Sequence, residues 1–262
     1  MSVHQMIISK EVRFVLLSFR QILLDGVVCS STAVSVENLE DMEMYRNERS
    51  GDNYHSDWND PNNESEKSLQ DLLNGCCLPE SILNKYMELI TNYSPNTLYA
   101  FNTHFFTAFS DHGYSRVHRW TKNVDIFSKE KLFIPVYFKS TRMWSLINVN
   151  FKEKSIRYYD IIGSGYHGGN RCQQLILKYL KLEYFMRKRK FFCVNRWSYV
   201  SSDFIHHGYN FWDSGLFMCL AAYEFAKKGS KSAARTFCSE YIGGQEKIKK
   251  MLISHIKKNS IL

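Results

Sequence analysis

The segment Ser214–Lys227, SGLFMCLAAYEFAK, is apolar on nearly all of its faces. A helix with one apolar stripe can lie on a surface, but one that is apolar all round has to be surrounded. This stretch therefore predicts a buried central helix, and the rest of the chain must supply its cover. Three strand-like runs come before it. Lys131–Phe138, KLFIPVYF, is apolar and β-branched; residues 144–151, WSLINVNF, alternate; Ser155–Asp160, SIRYYD, is short and alternating. Helical patterns flank these runs. Leu78, Ile82, Leu83, Met87 and Ile90 recur at helical spacing behind an early Pro79, and residues 103–112 carry Phe105, Phe106 and Phe109 on one side. Residues 172–188 and 245–257 also read as helices, the latter amphipathic through Ile248, Met251, Leu252, His255 and Ile256. Helices and strands come in blocks rather than in strict alternation, which predicts an α+β fold.

Aromatic content decides whether such a core can form without staples. Of 262 residues, 15% are Phe, Tyr or Trp and 44% are hydrophobic, enough to fold without disulfides and to exclude wholesale disorder or a collagen repeat. Seven cysteines, Cys29, Cys76, Cys77, Cys172, Cys193, Cys219 and Cys238, are odd in number and irregular in spacing, with no CxxC pair. They read as thiols of a reducing compartment rather than a zinc ribbon or a redox motif. Residues 12–24, VRFVLLSFRQILL, are too short to span a bilayer, contain Arg20 and Gln21, and lack a small-residue cleavage site. An amphipathic helix in a soluble intracellular protein, with no secretion signal and no membrane partner, is the expectation.

Charge divides the chain. Residues 37–66 hold ten acids and two bases, and the polar stretch SGDNYHSDWNDPNNESEKS (50–68) overlapping them lacks apolar periodicity. The expected organisation is an N-terminal helical segment over 1–36, an acidic polar linker over 37–67 that stays disordered, and a globular domain over 68–262. The total of +8 conceals a body of 28 bases and 14 acids over 71–262, a net +14. A body this basic suits an acidic partner.

Several motifs invite a chemical reading. GSGYHGG has neither G-x-G-x-x-G spacing nor a Lys-Ser/Thr ending, so it reads as a turn rather than a phosphate cradle. Arg187-Lys188-Arg189-Lys190 fits a nuclear-import or nucleic-acid patch, and equally a solvated helix end. His206-His207 has no Cys or His at ligand spacing, which argues against a metal. Trp212-Asp213-Ser214-Gly215 places a small nucleophile-type residue at the start of the apolar helix, where the helix dipole favours negative charge. A helix-capping serine is the simpler reading of that segment.

The segments assemble into a resemblance. Residues 100–128 (AFNTHFFTAFSDHGYSRVHRWTKNVDIFS), 131–160 (KLFIPVYFKSTRMWSLINVNFKEKSIRYYD) and 213–217 (DSGLF) closely resemble the catalytic domain of the Ulp/SENP family of SUMO-specific cysteine proteases, RWTKNVDIF being the most specific string. The resemblance covers about Ser68 to the C-terminus. It implies a papain-like α+β domain: a central mixed sheet flanked by helices, with the nucleophile position at the N-terminus of a buried helix. It also implies SUMO or a related ubiquitin-like modifier and its conjugates as partners, no cofactor or metal, a nuclear or nucleocytoplasmic location, and no role for nucleic acid.

The family mechanism needs a His base, an orienting Asp, a Cys nucleophile and a Gln for the oxyanion. Carried over one at a time, the base position falls on Met143, behind about two extra residues in 139–142. The orienting acid falls on Asp160, the nucleophile on Ser214, and the oxyanion Gln on Gly208. The resemblance thus implies a degenerate site, a pseudoprotease. Of the two Trp residues that close over the modifier's tail, one falls on Trp144 and the other on Cys77. Glu80 falls on the acid that pairs with a basic residue of the modifier, and Arg119 and Trp120 lie in the stretch that holds its body. Two other readings stay open: an active isopeptidase using Ser214 with an unrecognised base, and a basic protein- or nucleic-acid-binding module on the same fold.

Overall fold

The computed structural model describes residues 78–161, 168–203, 214–227 and 245–261. All of them belong to one compact unit, Trp58–Leu262. The expected helix over 12–24, the acidic segment, Cys77, His206-His207, Gly208 and Asp213 lie outside the described residues, as does most of GSGYHGG.

The chain order is α1 (Glu80–Tyr93), β1 (Leu98–Ala100), α2 (Phe105–His112), α3 (Tyr114–Val117), a 3-10 turn (Ile126–Ser128), β2 (Lys131–Phe138), β3 (Met143–Asn150), β4 (Ser155–Asp160), α4 (Gly169–Lys188), β5 (Ser198–Asp203), α5 (Ser214–Lys227) and α6 (Gln245–Lys258). The strands form one mixed sheet in the order β1-β2-β3-β4-β5. The central pairs β2-β3 and β3-β4 are antiparallel, and the outer pairs β1-β2 and β4-β5 are parallel. The three expected strand runs are therefore the antiparallel centre. The edge strands went unread: β1 has three residues and the SYVSSD of β5 is polar, so neither carries a hydrophobic period long enough to detect.

Strand alternation sends successive side chains to opposite faces, and each face has its own helix layer. Phe133, Leu146 and Tyr159 pack on one side with Leu83, Tyr86 and Ile90 of α1, Leu216–Tyr223 and Phe225 of α5, and Ile248 and Leu252 of α6. Leu132, Ile134, Ile147, Val149, Ile156 and Tyr158 pack on the other with Phe105, Phe106 and Phe109 of α2 and Ile176, Leu177 and Leu180 of α4. Every residue from Ser214 to Phe225 is buried, as expected of a helix without a polar face.

Helix starts differ by a few residues from expectation for local reasons. α4 begins at Gly169 rather than at 172, and only glycine fits there: a Cβ would lie 2.7 Å from the Tyr158 ring and 2.9 Å from Ser201 Oγ. The close approach of helix to sheet explains the last glycine of GSGYHGG. The four-residue hairpin over 139–142 closes with Arg142 at a φ of 54°, and it delivers Met143 opposite Phe138. The basic run 187–190 is a helix end: α4 stops at Lys188, and Arg189 takes the left-handed conformation with its N–H donating to the Phe185 carbonyl.

Candidate functional site

Met143 and Trp144 open β3, Asp160 closes β4, and Ser214 opens α5. Register offsets the two strand positions by two residues. Leu146 pairs with Tyr159, so Asp160 stands one step further along, at the level of Ser145. α5 lies alongside β3 and is held at both ends. At its start the Ser214 hydroxyl accepts the Trp144 backbone N–H at 3.0 Å. At its end the Lys131 ammonium donates to the Phe225 carbonyl at 2.7 Å, where the helix dipole favours a cation. Burial holds the Lys131 pKa below the ordinary lysine range. The structure thus gathers Ser214 against the Met143–Trp144 peptide. The serine does more than the capping reading foresaw, since its oxygen reaches across to the sheet.

Ser214 is 1% exposed and Asp160 5% exposed, whereas Met143 and Trp144 are half-buried. The Trp144 ring lies 4.8 Å from that of Tyr137 and packs on the α1-α5 core. Gly215 is the reason it fits. A Cβ at that position would lie 3.3 Å from both Trp144 Cδ1 and Leu83 Cδ2. Trp144, α1 and the start of α5 therefore meet over a glycine that leaves them room.

The other expected contacts lie on α1 and in the loop after α3. Glu80 opens α1 with an exposed carboxylate, 3.5 Å from His104 Nδ1. Arg119 is exposed, and Trp120 is half-buried with its ring 5.7 Å from Phe105. A cleft of about 470 Å³ opens between α1, β1 and Trp120, lined by Asn84, Met87, Glu88, Tyr99 and Trp120 among others. Neither Met143, Asp160 nor Ser214 lines that cleft.

Much of the RWTKNVDIF string has structural work. Thr121 and Ile126 are buried. Asp125 accepts the Phe127 N–H and the Lys188 ammonium at 2.7 Å, and that ammonium holds the carboxyl below its ordinary range. Sequence reasoning missed the group beneath the string. Glu183 is buried and accepts hydroxyls from Tyr114 and Thr121, both at 2.6 Å, together with Arg187 Nε. The signal was present: an acid three and four residues beyond Leu180 and Tyr179 falls on the buried stripe of α4.

A mixed sheet with helices on both faces and a buried helix opening beside β3 and β4 defines the papain-like cysteine-protease fold. Residues 77–259 match the Ulp1 protease family, C-terminal catalytic domain, and the chain belongs to that family. Sentrin-specific protease 3 of Homo sapiens is 39% identical over 106 residues, 40% of this chain and 18% of that protein. The matched stretch thus spans under a fifth of that relative's length. Among solved structures, a SUMO protease Ulp1 with its catalytic cysteine oxidised to a sulfonic acid aligns at a TM-score of 0.58 and 22% identity, covering 75% of this chain and 84% of that one. The C-terminal Ulp1 protease domain in complex with Smt3, the yeast ortholog of SUMO, aligns at 0.56 and 19% identity, covering 87% and 98%. These structures share the fold. Among the described residues no helix is long and apolar enough to cross a membrane.

Proposed function

We propose that this domain is a catalytically inactive member of its family that binds SUMO or a related ubiquitin-like modifier. One observation carries the inactivity. The residue in the proposed nucleophile position, Ser214, is buried, and its oxygen accepts the Trp144 N–H where the residue before Trp144 is Met143. A serine hydroxyl needs a general base to become a nucleophile at neutral pH. A thioether offers none. Gly208, in the proposed oxyanion position, has no side-chain donor, and loss of one such donor costs about 3 kcal/mol of transition-state stabilisation. Asp160 then serves as a buried strand-end acid rather than an orienter.

Support for the partner comes from the Ulp1 domain found in complex with Smt3, and from the basic body, with 28 bases against 14 acids over 71–262. The proposed contacts are Arg119 and Trp120 for the modifier's body, Glu80 for a basic residue on it, and Trp144 and the position of Cys77 for its tail. A nuclear or nucleocytoplasmic location belongs to the same proposal.

The test pairs turnover with binding. The purified chain should bind SUMO and leave a SUMO fluorogenic substrate uncleaved. Turnover that Ser214→Ala abolishes would replace this reading with an active serine isopeptidase. Loss of binding with rising salt, together with preference for nucleic acid over SUMO, would replace it with a nucleic-acid module. A Met143→His, Gly208→Gln, Ser214→Cys triple variant asks whether the tail channel survives, with recovered cleavage as the expected sign of an open one.

A further inference from the structure

We infer that Glu183 and Arg187 of α4 are positioning residues for Arg119 and Trp120, closing residues 114–121 into a fixed loop that presents those two side chains. The inference rests on the proposed reading of Arg119 and Trp120 as modifier contacts.

The loop has little to hold it by itself. α3 is a single turn closed by His118 N–H to Tyr114, and beyond it the backbone bonds are Trp120 N–H to Val117, Lys122 N–H to Arg119 and Val124 N–H to Thr121, each between residues three apart. Bonds between residues three apart in short runs have poor geometry and support only brief segments. What fixes the loop comes from outside it. Tyr114 at its start donates to one oxygen of the Glu183 carboxylate, and Thr121 at its end donates to the other. Arg187 closes the ring, giving Nε to Glu183 and a second guanidinium nitrogen to the Thr121 carbonyl. A single carboxylate therefore ties both ends of the loop to α4.

Burial makes that tie strong. Glu183 is 0% exposed, and a carboxylate so placed is tolerated only with its lone pairs filled by good donors. Bonds to a charged acceptor out of water are the stronger kind. Tyr114's own partial burial, with the bond to Glu183 next, pushes its pKa up, so its hydroxyl stays a donor. Arg119 lies between the two tied ends with its side chain exposed. Trp120 is braced on Phe105. Loosening the clasp should let these side chains wander while the sheet and both cores stay intact.

Thr121→Val is the informative variant, because it removes the hydroxyl and keeps the shape, whereas Glu183→Gln could fail to fold. In the full chain, Thr121→Val should weaken SUMO binding about fivefold, the worth of one well-placed hydrogen bond, and Thr121→Ser should restore it. Thr121→Val should cost less affinity in an Arg119→Ala background than in the wild type, because the hydroxyl acts in part through Arg119. Wild-type affinity in Thr121→Val, or additive losses in the double variant, would overturn the inference. Amide hydrogen exchange of the free chain gives a second reading that needs no modifier. Thr121→Val and Arg187→Lys should speed exchange over 115–122 and leave β2, β3 and β4 unchanged. If the wild-type chain binds no SUMO, the proposed function falls, and exchange still decides the clasp: local acceleration supports it, and unchanged rates overturn it.

Discussion

Ser214 illustrates how much one side chain can be asked to do. Its hydroxyl meets the Trp144 N–H at 3.0 Å, joining the start of α5 to the start of β3. Ser214→Ala should therefore destabilise the domain by about 1 kcal/mol, the net worth of one hydrogen bond, in urea unfolding. Asn148 poses the opposite case. It is fully buried on the α5 side of the sheet, between Phe133 and Arg157 in register, and neither its amide nitrogen nor its oxygen has a partner. An unsatisfied buried polar atom costs about 1–3 kcal/mol. Asn148→Val should raise the urea midpoint, since valine suits a strand interior and carries no polar group. At this scale the sequence was readable for residue type and silent on partners. A serine opening an apolar helix was visible; the strand amide it accepts was not, because 70 residues separate them.

The two helices that meet α5 set the next level. Gly215 lets α1 and Trp144 approach the start of α5 with 3.3 Å left for a Cβ. Helix propensity alone would favour alanine there by about 1 kcal/mol. Leu83 is fully buried and the Trp144 ring is stiff, so crowding should win, and Gly215→Ala should destabilise by about 1–2 kcal/mol in the same assay. α6 is joined to both α1 and α5 through His255. Its Nδ1 lies 2.9 Å from the Tyr86 hydroxyl and its ring 5.0 Å from that of Tyr223. Burial, and then the Lys227 and Lys258 charges, hold the His255 pKa below its ordinary 6.5. The unfolded chain then binds more protons than the folded one in the window just under 6.5. Stability is complete above that value and declines as pH falls through the lowered one. Unfolding midpoints measured from about pH 7.5 down to about pH 5 should show this decline, and His255→Gln should flatten it. Helices with long apolar periods were read nearly to their ends. The polar clasp of α4 and the edge strands were not, because their stability comes from neighbours distant in sequence.

Across the whole molecule, charge and layering govern what the domain can meet. Residues 71–262 carry a net +14, and the described residues form two cores, with α1, α5 and α6 on one face of the sheet and α2, α3 and α4 on the other. On the proposed reading, an acidic modifier is steered by this charge, so the association rate for SUMO should fall several-fold between low and physiological salt, with a smaller change in the dissociation rate, as stopped-flow mixing would record. Local strings, above all RWTKNVDIF and DSGLF, carried the resemblance to the family that residues 77–259 match.

By itself the sequence determined the buried helix, the antiparallel centre of the sheet, the α+β class and the family, since each is written in contiguous periods or strings. The resemblance also underlies the proposal that Met143 and Ser214 stand at the base and nucleophile positions. Tertiary structure alone decided that the Ser214 oxygen is taken up by the Trp144 amide. It also decided that Glu183 clasps both ends of the loop bearing Arg119, and that Gly215 spaces α1 from the helix start. Each of these is a contact between segments far apart along the chain. The partner of a hydrogen bond or a packing gap is fixed by strand register and helix placement, which residue type and spacing do not encode.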